Sequence, residues 1–439
     1  MAKVPILPQD DRTNGWSRLL PERQIAPALK GAQIADWVVI GAGYAGLAAA
    51  RRLAENRPND KIILVEAHEV GEGASGRNSG FAIDLPHNVG SSLQELEGSR
   101  RFVRISRAAI AYLEKTVRDS AIDCDWSARG KYHAAVAPKG RKDVLAPFAR
   151  ELDSLGEKYR WLDRAQLAAE IGTRYFHSAI YTAGGILMNP AALTRGLAEN
   201  LPENVSLHEH SPVTEADFTN GVRLTTPQGS VAAATAILAV NGFASQFGFY
   251  RRSLLSFLSY ASLTRPLTAA ERTALGGADD WGLTPVNALS GVTMRLTRDQ
   301  RILMRHGFRY APSFRRRETE AGEARAEHQR LFHKRFPMLP DVRMEHTWRG
   351  FVCLSRNHAP GFGRLGPNVL GAVCQNAVGV TKGTIGGLLA ADMACGVDNP
   401  LIQDMESQGR PARLPPQPFL DLGVRARFAM ELWRGRKER

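Results

Sequence analysis

The chain has 439 residues, of which 44% are hydrophobic and 23% charged, the ordinary proportions of a globular protein. These values exclude a disordered chain, a collagen-like repeat and a disulfide-stapled mini-protein, and the length exceeds what one hydrophobic core usually serves. The formal charge of +13 leaves anionic ligands, nucleic acid and acidic membrane surfaces open as partners.

The N-terminal segment and the cysteines indicate the compartment. Pro5 and Pro8 interrupt the start of the chain, and no apolar run typical of a signal peptide follows. The longest apolar stretch, 37–50, is shorter than the ~20 residues that a membrane-spanning helix needs. The cysteines form no CxxC pair, which argues against a zinc site and fits a reducing environment. We therefore expect a soluble, cytoplasmic protein without a bound metal. The cysteines are Cys124, Cys353, Cys374 and Cys395.

A strand, a glycine-rich turn, a helix and a second strand follow one another between residues 36 and 66. The β-rich run 36–40 leads into Gly41-Ala42-Gly43-Tyr44-Ala45-Gly46, then into the helix formers 47–56, the run 61–65 and Glu66. The three glycines permit a tight turn, backbone approach to a pyrophosphate and close helix packing. Glu66 is placed to accept hydrogen bonds from a ribose hydroxyl. The unit predicts a dinucleotide site, with a plain βαβ turn as the alternative.

The same glycine spacing occurs twice more, at 71–76 and at 361–366. The first of these copies follows no strand-like run, and Pro367 follows the second where a helix should begin. We interpret both as bare pattern matches, because neither has the context of strand, turn, helix, strand and acid.

Small residues dominate the segment after Glu66, so a flat ligand could approach its backbone. Residues 67–81 contain Ser75, Arg77 and Asn78, whose side chains can hydrogen-bond phosphate or ring atoms. A flexible surface loop is the alternative interpretation.

Taken together, the turn 41–46, Glu66 and the Ala-Ser-Gly-Arg-Asn motif at 74–78 resemble the D-amino-acid-oxidase-like superfamily of FAD-dependent oxidoreductases. This group includes glycine oxidase, sarcosine oxidase and D-amino-acid dehydrogenase, and the motif is most similar to the bacterial γ-glutamylputrescine-oxidase type. The likeness continues at 348–363 and at 369–395. The resemblance implies non-covalent FAD, and the sequence has no second fingerprint for a nicotinamide cofactor.

The resemblance implies an α/β fold, α+β overall, with a Rossmann-like FAD-binding domain and an antiparallel-sheet substrate domain interleaved in sequence. The pieces 205–207 and 211–213 are predicted to be strands. We expect an FAD-binding domain of 1–90, 165–245 and 345–402, a substrate domain of 91–164 and 246–344, and a basic tail of 403–439.

The resemblance also implies which residues contact FAD. The late helix would direct its N-terminus to the pyrimidine edge of the flavin, where Lys382 would stabilise negative charge. The residue matching Val213 commonly bonds adenine through its backbone. The full set is Gly41, Gly43, Tyr44, Ala45, Gly46, Glu66, Ala67, Ser75, Gly76, Arg77, Asn78, Ser79, Val213, Gly379, Val380, Thr381 and Lys382.

Tyr260, Arg295 and Lys382 are the catalytic candidates. Tyr260 and Arg295 alternate with apolar neighbours in the strand-like region 245–345, which would roof the flavin, and either could bind a carboxylate or polar tail. Packing is the alternative. Cys353 lies near the position at which sarcosine-oxidase relatives attach FAD, but we interpret it as an inert buried thiol. His87 and His358 are interpreted as structural.

The resemblance implies oxidation of a C–N bond, with hydride transfer from carbon to flavin N5, hydrolysis of the imine and reduction of O2 to H2O2. Such chemistry needs orientation and electrostatics and requires no protein nucleophile. We predict an FAD-dependent oxidase of a secondary amine or a carboxylate-bearing amine. The alternative is a flavin dehydrogenase of an amino acid or 2-hydroxy acid that passes electrons to quinone. The sequence holds no motif for nucleic-acid binding.

An apolar stripe runs through the basic tail at Leu420, Val424, Phe428 and Leu432. We expect this stripe to pack on the body of the protein. The alternative is an interfacial helix that brings a dehydrogenase to a membrane.

Overall fold

The computed structural model describes residues 2–86 and 93–439, and His87 lies outside the described residues. The described residues form nineteen β-strands and twelve α-helices. The strands are β1 (Ala2–Lys3), β2 (Gly31–Ile40), β3 (Ile62–Val65), β4 (Phe81–Ala82), β5 (Lys131–Ala135), β6 (Arg160–Asp163), β7 (Ser178–Thr182), β8 (Ile186–Leu187), β9 (Val205–His208), β10 (Glu215–Asp217), β11 (Val222–Thr225), β12 (Gly229–Leu238), β13 (Leu254–Thr264), β14 (Trp281–Pro285), β15 (Thr293–Leu296), β16 (Ile302–Tyr310), β17 (Met344–Ser355), β18 (Gly361–Gly366) and β19 (Val369–Val373). The helices are α1 (Tyr44–Asn56), α2 (Ala74–Arg77), α3 (Leu93–Asp119), α4 (Pro138–Gly140), α5 (Ala146–Leu155), α6 (Arg164–Ile171), α7 (Pro190–Glu199), α8 (Ala269–Leu275), α9 (Glu320–Arg335), α10 (Gly379–Cys395), α11 (Leu401–Glu406) and α12 (Phe419–Arg434).

The first sheet has nine strands, in the order β1-β10-β11-β12-β2-β3-β9, with β19 beside β12 and β18 beside β19. Its centre is parallel and comprises β19, β12, β2, β3 and β9. Ile62 and Leu64 of β3 pack into the cluster that contains α1 and α10, while Ile63 and Val65 pack into a second cluster on the opposite face. A strand covered on both faces must be apolar throughout, which explains the run predicted at 61–65. The predicted α/β fold is confirmed.

The second sheet has eight strands, in the order β17-β13-β16-β15-β14-β5-β7-β6. Neighbouring strands are antiparallel except β14 and β5, which run parallel. The long pair β13 and β17 places Cys353 opposite Ser256, and both residues reach the wall of the cavity described below. The pair β4 and β8 forms a small third sheet.

The predicted domain boundaries differ from the sheets at three places. β7 and β17 pair within the eight-stranded sheet, although the boundaries assign them to the FAD-binding domain. Conversely, α3 contributes Ile105 and Leu113 to the core shared with α1, although the boundaries assign it to the substrate domain. The predicted strand at 211–213 is also wrong: Ser211 and Val213 lie in irregular backbone between β9 and β10.

Glycines allow α1 and α10 to pack with their backbones in contact. A Cβ at Gly387 of α10 would lie 2.0 Å from the Ala45 carbonyl oxygen, whereas one at Gly386 would lie 3.6 Å from the Ala372 Cβ. The first distance is a severe clash with backbone and the second an ordinary contact.

We therefore predict that Gly387→Ala lowers the free energy of unfolding by ~1–3 kcal/mol, because two backbones must move apart. The matched variant Gly386→Ala should be neutral or up to ~1 kcal/mol more stable, since alanine is the better helix former. Urea unfolding midpoints of both variants at saturating FAD check this. Equal midpoints for the two variants would show that the helices do not touch at Gly387.

Candidate functional site

A cavity lies at the carboxyl ends of β2, β3 and β12, where open α/β sheets bind their ligands. Its empty space is about 1040 Å³ with the open mouth included. The residues just beyond each strand form its walls, among them Gly41, Glu66 and Asn241.

The first glycine turn forms one wall of this cavity. Gly41 has a φ of +98°, which favours glycine, and a Cβ at Gly46 would lie 1.7 Å from the Gly41 carbonyl oxygen. A Cβ at Gly43 would lie 2.7 Å from the Ser75 Oγ. Helix α1 begins directly after Gly43, so its N-terminal N–H groups and positive dipole end lie at the cavity wall.

Glu66 holds the turn at the end of β3. Its Oε2 accepts the Ala42 N–H at 2.8 Å and its Oε1 accepts the His68 N–H at 3.1 Å. Each carboxylate oxygen has a further lone pair. Since Glu66 also lines the cavity, the carboxylate can accept a ribose hydroxyl there.

The second glycine copy adopts the same turn as the first, which the sequence interpretation did not anticipate. Gly71 has a φ of +92°, and a Cβ at Gly76 would lie 1.9 Å from the Gly71 carbonyl oxygen, as in the first turn. The turn opens the short helix α2, whose Ser75 Oγ accepts the Tyr44 N–H at 3.0 Å. The two turns therefore interlock at the cavity. The third copy is strand β18 and begins no helix, in agreement with its interpretation as a bare pattern match.

The N-terminal segment supplies a wall that the sequence analysis missed. Val4, Ile6, Leu7 and Pro8 line the cavity, and the Val4 N–H donates to the Thr214 carbonyl at 2.8 Å. The apolar run 4–8 is the sequence signal for this wall.

Arg77 does not lie on the cavity wall, contrary to its predicted role as a ligand of phosphate or flavin. Its guanidinium donates to Asp10 at 2.5 Å and to Asp11 at 2.7 Å, and it lies 3.4 Å from Glu72. Burial alone would raise the pKa of Asp11, but the neighbouring Arg77, Thr13 and Arg349 hold that pKa well below its ordinary value. Arg77 is therefore already neutralised by the protein.

Six of the predicted cofactor residues line the cavity among the described residues: Gly41, Gly43, Glu66, Ala67, Ser75 and Val213. Asn78 uses its side chain locally, accepting the Gly80 N–H at 2.8 Å and donating to the Ser75 carbonyl at 2.6 Å. Five others of the predicted set in this region are not among the residues that line the cavity. These are Tyr44, Ala45, Gly46, Gly76 and Ser79.

One part of the cavity wall is aromatic. Phe243 stacks on Phe314 with ring centroids 4.0 Å apart, and Phe351 meets Phe314 edge-on at 5.2 Å. All three lie on the cavity wall beside Cys353. Phe351 and Cys353 belong to β17, so the eight-stranded sheet closes this part of the cavity.

A strained junction links β17 to the start of α10. Asn376 Oδ1 accepts the Ser355 N–H at 2.8 Å, and Nδ2 donates to the carbonyls of His358 and Cys374. Cys374, Asn376, His358 and Ala377 all have φ between +50° and +65°. Such backbone is costly for residues with a Cβ and is concentrated at functional sites. The predicted residues Gly379, Val380 and Thr381 follow this junction, and Thr381 donates to the Ile83 carbonyl.

The structure places Lys382 elsewhere than the predicted flavin-side position. Its Nζ donates to the Gln408 Oε1 at 3.0 Å and lies 5.2 Å from the ring centre of Phe102 on α3. Burial lowers the pKa of Lys382 to about 8, although the neighbouring Cys374 opposes that shift.

Arg295 and Tyr260 also lie away from the cavity wall, which favours the packing alternative for both. Arg295 is 2% exposed, donates to the carbonyls of Met188 and Gly80, and lies over the Trp16 ring. Tyr260 is buried with Leu258 and Ala311. The alternation of Tyr260 and Arg295 with apolar neighbours predicts that they share a face of a strand, but it does not reveal which groups they bind.

Cys353 is the cysteine that reaches the cavity. Its thiol hydrogen-bonds with that of Cys374, and this contact, together with burial, raises the pKa of Cys353 well above its ordinary value. A thiol held in its protonated form is a poor nucleophile.

These observations define a dinucleotide-binding α/β protein. The glycine turns, the start of α1 and Glu66 fit a pyrophosphate and a ribose, and the aromatic part of the wall fits a flat ring system. Residues 36–393 match the family described as DAO, FAD dependent oxidoreductase. The chain belongs to this family, and its cofactor is FAD.

Similar proteins cover most of the chain. A gamma-glutamylputrescine oxidoreductase of Escherichia coli is 25% identical over 401 residues, covering 88% of this chain and 87% of the relative. A probable oxidoreductase, OrdL, of Haemophilus influenzae is 25% identical over 386 residues, covering 85% and 86%. The crystal structure of glycine oxidase from Geobacillus kaustophilus superposes with a TM-score of 0.73 at 19% identity, covering 88% of this chain and 100% of that one.

We predict that Glu66→Ala weakens FAD binding by about tenfold to a hundredfold, because hydrogen bonds to a charged acceptor are worth ~1.5–3 kcal/mol. Glu66→Gln should bind FAD with intermediate affinity, since one acceptor oxygen remains. Glu69→Ala is the matched control: Glu69 lines the same cavity, but its carboxylate is directed to His210 at 3.7 Å. Titration of apoprotein with FAD measures the affinities. An equal loss in both alanine variants would contradict the role of Glu66.

Lys382 gives a second prediction, on the pH dependence of stability. Between pH 8 and 10.5 the unfolded chain keeps the proton on Lys382 and the folded chain releases it. The wild type should therefore gain stability relative to Lys382→Met as pH rises through this interval, by up to ~1.4 kcal/mol per pH unit. Urea unfolding of both proteins from pH 7 to 11 tests this. A constant difference would show that the folded lysine titrates normally.

Proposed function

We propose that this chain is an FAD-dependent oxidase that oxidises the C–N bond of an amine or amino acid, with O2 as electron acceptor. The substrate class is a secondary amine or an amine that bears a carboxylate. The proposal rests chiefly on the single dinucleotide fingerprint that leads into a cavity closed by the second sheet. With one such site, the reductant of the cofactor is the substrate itself.

FAD, when bound, supplies the two-electron acceptor for this reaction. The chain's own contribution is to bind and orient it. Glu66 and the two glycine turns would hold the ribose and pyrophosphate, and Phe243, Phe314 and Phe351 would exclude water from the part of the cavity that they line. The protein offers a fixed, partly dry site, and the reaction needs no protein nucleophile.

The names of the similar proteins support an amine substrate. The Escherichia coli relative is named for gamma-glutamylputrescine and the superposed structure for glycine, and both compounds carry an amino group. The names of the similar proteins say less about the electron acceptor. The structure of an L-proline dehydrogenase from P. horikoshii also superposes, with a TM-score of 0.69 at 15% identity. A dehydrogenase therefore remains the alternative to an oxidase.

We further propose that the cofactor is held without a covalent bond. The Cys353 thiol reaches the cavity, but its raised pKa keeps it protonated at neutral pH. Acid precipitation of the purified protein should therefore leave the flavin in the supernatant.

Anaerobic mixing with a panel of compounds tests the proposed function. Amines or amino acids should bleach the flavin absorbance, while matched 2-hydroxy acids of the same carbon skeleton should leave it unchanged. On admission of air, one H2O2 should form per substrate oxidised. Bleaching by amines without rapid reoxidation in air would establish a dehydrogenase instead. A protein that binds FAD but is reduced only by hydroxy acids would overturn the proposal.

A further inference from the structure

Helix α12 presents apolar side chains on two faces, and the body of the protein covers one of them. On the covered face, Phe428 stacks on Phe257 of β13 with ring centroids 5.8 Å apart, and Asp421 accepts the Tyr310 hydroxyl at 2.9 Å. Beyond the helix, the Glu438 carboxylate accepts the Val136 N–H at 2.7 Å. The expected packing of the stripe on the body is therefore present at Phe428, whereas Leu432 of the same stripe is 42% exposed.

The opposite face carries a second apolar row. Phe419 is 67% exposed, Leu422 63% and Trp433 65%. With Ala426 and Met430, also exposed, these residues follow one another at intervals of three, four, four and three, which places them on one side of a helix. Large aromatic and aliphatic side chains exposed in a row at this density mark an interaction surface.

Cationic side chains flank this row. Arg425, Arg427 and Arg434 lie beside it on the helix, and Arg436 and Lys437 follow the helix. The carboxylates of this segment are directed to protein groups. Asp421 binds Tyr310, Glu438 binds backbone N–H groups, and Glu431 pairs with Arg427 at 3.0 Å. Glu431 offsets one charge of Arg427 and Arg434, and Arg425, Arg436 and Lys437 add to the charge that remains, so the outward surface is apolar along its centre and net positive at its edges.

The positive charge beside the apolar row distinguishes between the partners that could cover it. A second copy of α12 would bring its arginines against those of the first, and like charges at short distance oppose such a contact. A bilayer rich in anionic lipids offers hydrocarbon to the row and negative headgroups to the flanks. Among residues 2–86 and 93–439, no helix is long and apolar enough to cross a bilayer, so the helix would lie flat on the surface.

We propose that α12 docks the protein on an anionic phospholipid surface, with Phe419, Leu422 and Trp433 inserted between the lipids and the flanking arginines at the headgroups. This inference is independent of the proposed substrate, because it rests on the exposed face of α12 alone. In this arrangement the axis of α12 lies parallel to the membrane surface along its whole length.

Sedimentation of the FAD-loaded full chain with vesicles tests the proposal. The protein should bind phosphatidylcholine vesicles that contain about 30% phosphatidylglycerol, bind pure phosphatidylcholine weakly, and be released by added salt. The variant Phe419→Ser/Leu422→Ser/Trp433→Ser should lose binding about tenfold or more while keeping its flavin content. The control Ile34→Ser removes an apolar side chain that is 78% exposed on β2, and it should bind like the wild type.

Quenching by brominated lipids gives a second readout that does not depend on the triple variant. Tryptophan fluorescence should be quenched on the vesicles, and Trp433→Phe should lose most of this quenching while still binding. The proposal would be overturned if the wild-type protein did not bind anionic vesicles, or if the triple variant bound them as tightly as the wild type. A concentration-dependent dimer in the absence of lipid, abolished in the triple variant, would assign the surface to a second copy.

Discussion

The buried guanidinium of Arg77 ties together three segments that surround the cofactor cavity. It binds Asp10 and Asp11 of the N-terminal segment, Glu72 of the second glycine turn and the Arg349 carbonyl of β17. Its loss would bring three carboxylates close together, with Arg349 beside Asp11 at 2.9 Å and Arg195 beside Glu72 at 3.5 Å as the cations that remain. Residues 4–8 are therefore held on the cavity wall from both sides, by this ion cluster after them and by the pairing of β1 with β10 before them.

The parts of the site that a sequence can predict are the parts that are local in sequence. The unit from β2 to Glu66 spans about 35 residues, and each of its steps has its own signature in residue type and spacing. The second glycine turn lacked such a signature because no strand precedes it. Its resemblance to the first turn became visible only in the backbone angles of Gly71 and in its contact with Tyr44.

The long polar side chains were the least predictable. Arg77, Arg295 and Lys382 were each assigned to a ligand, and each is directed to partners within the protein that lie far away in sequence. Asp10 is 67 residues from Arg77, and Met188 is 107 residues from Arg295. The sequence shows that an arginine needs hydrogen-bond acceptors, but only the fold determines whether the protein or a ligand supplies them.

The close packing of α1 against α10 has a consequence for how the chain is made. About 320 residues separate the end of α1 from the start of α10. Strand β2 likewise pairs with β12, which is synthesised much later. At the ~5–20 residues per second of translation, the apolar face of α1 stays without its native cover for on the order of half a minute. The apolar side chains of α1 that α10 covers are therefore exposed on the nascent chain during this interval.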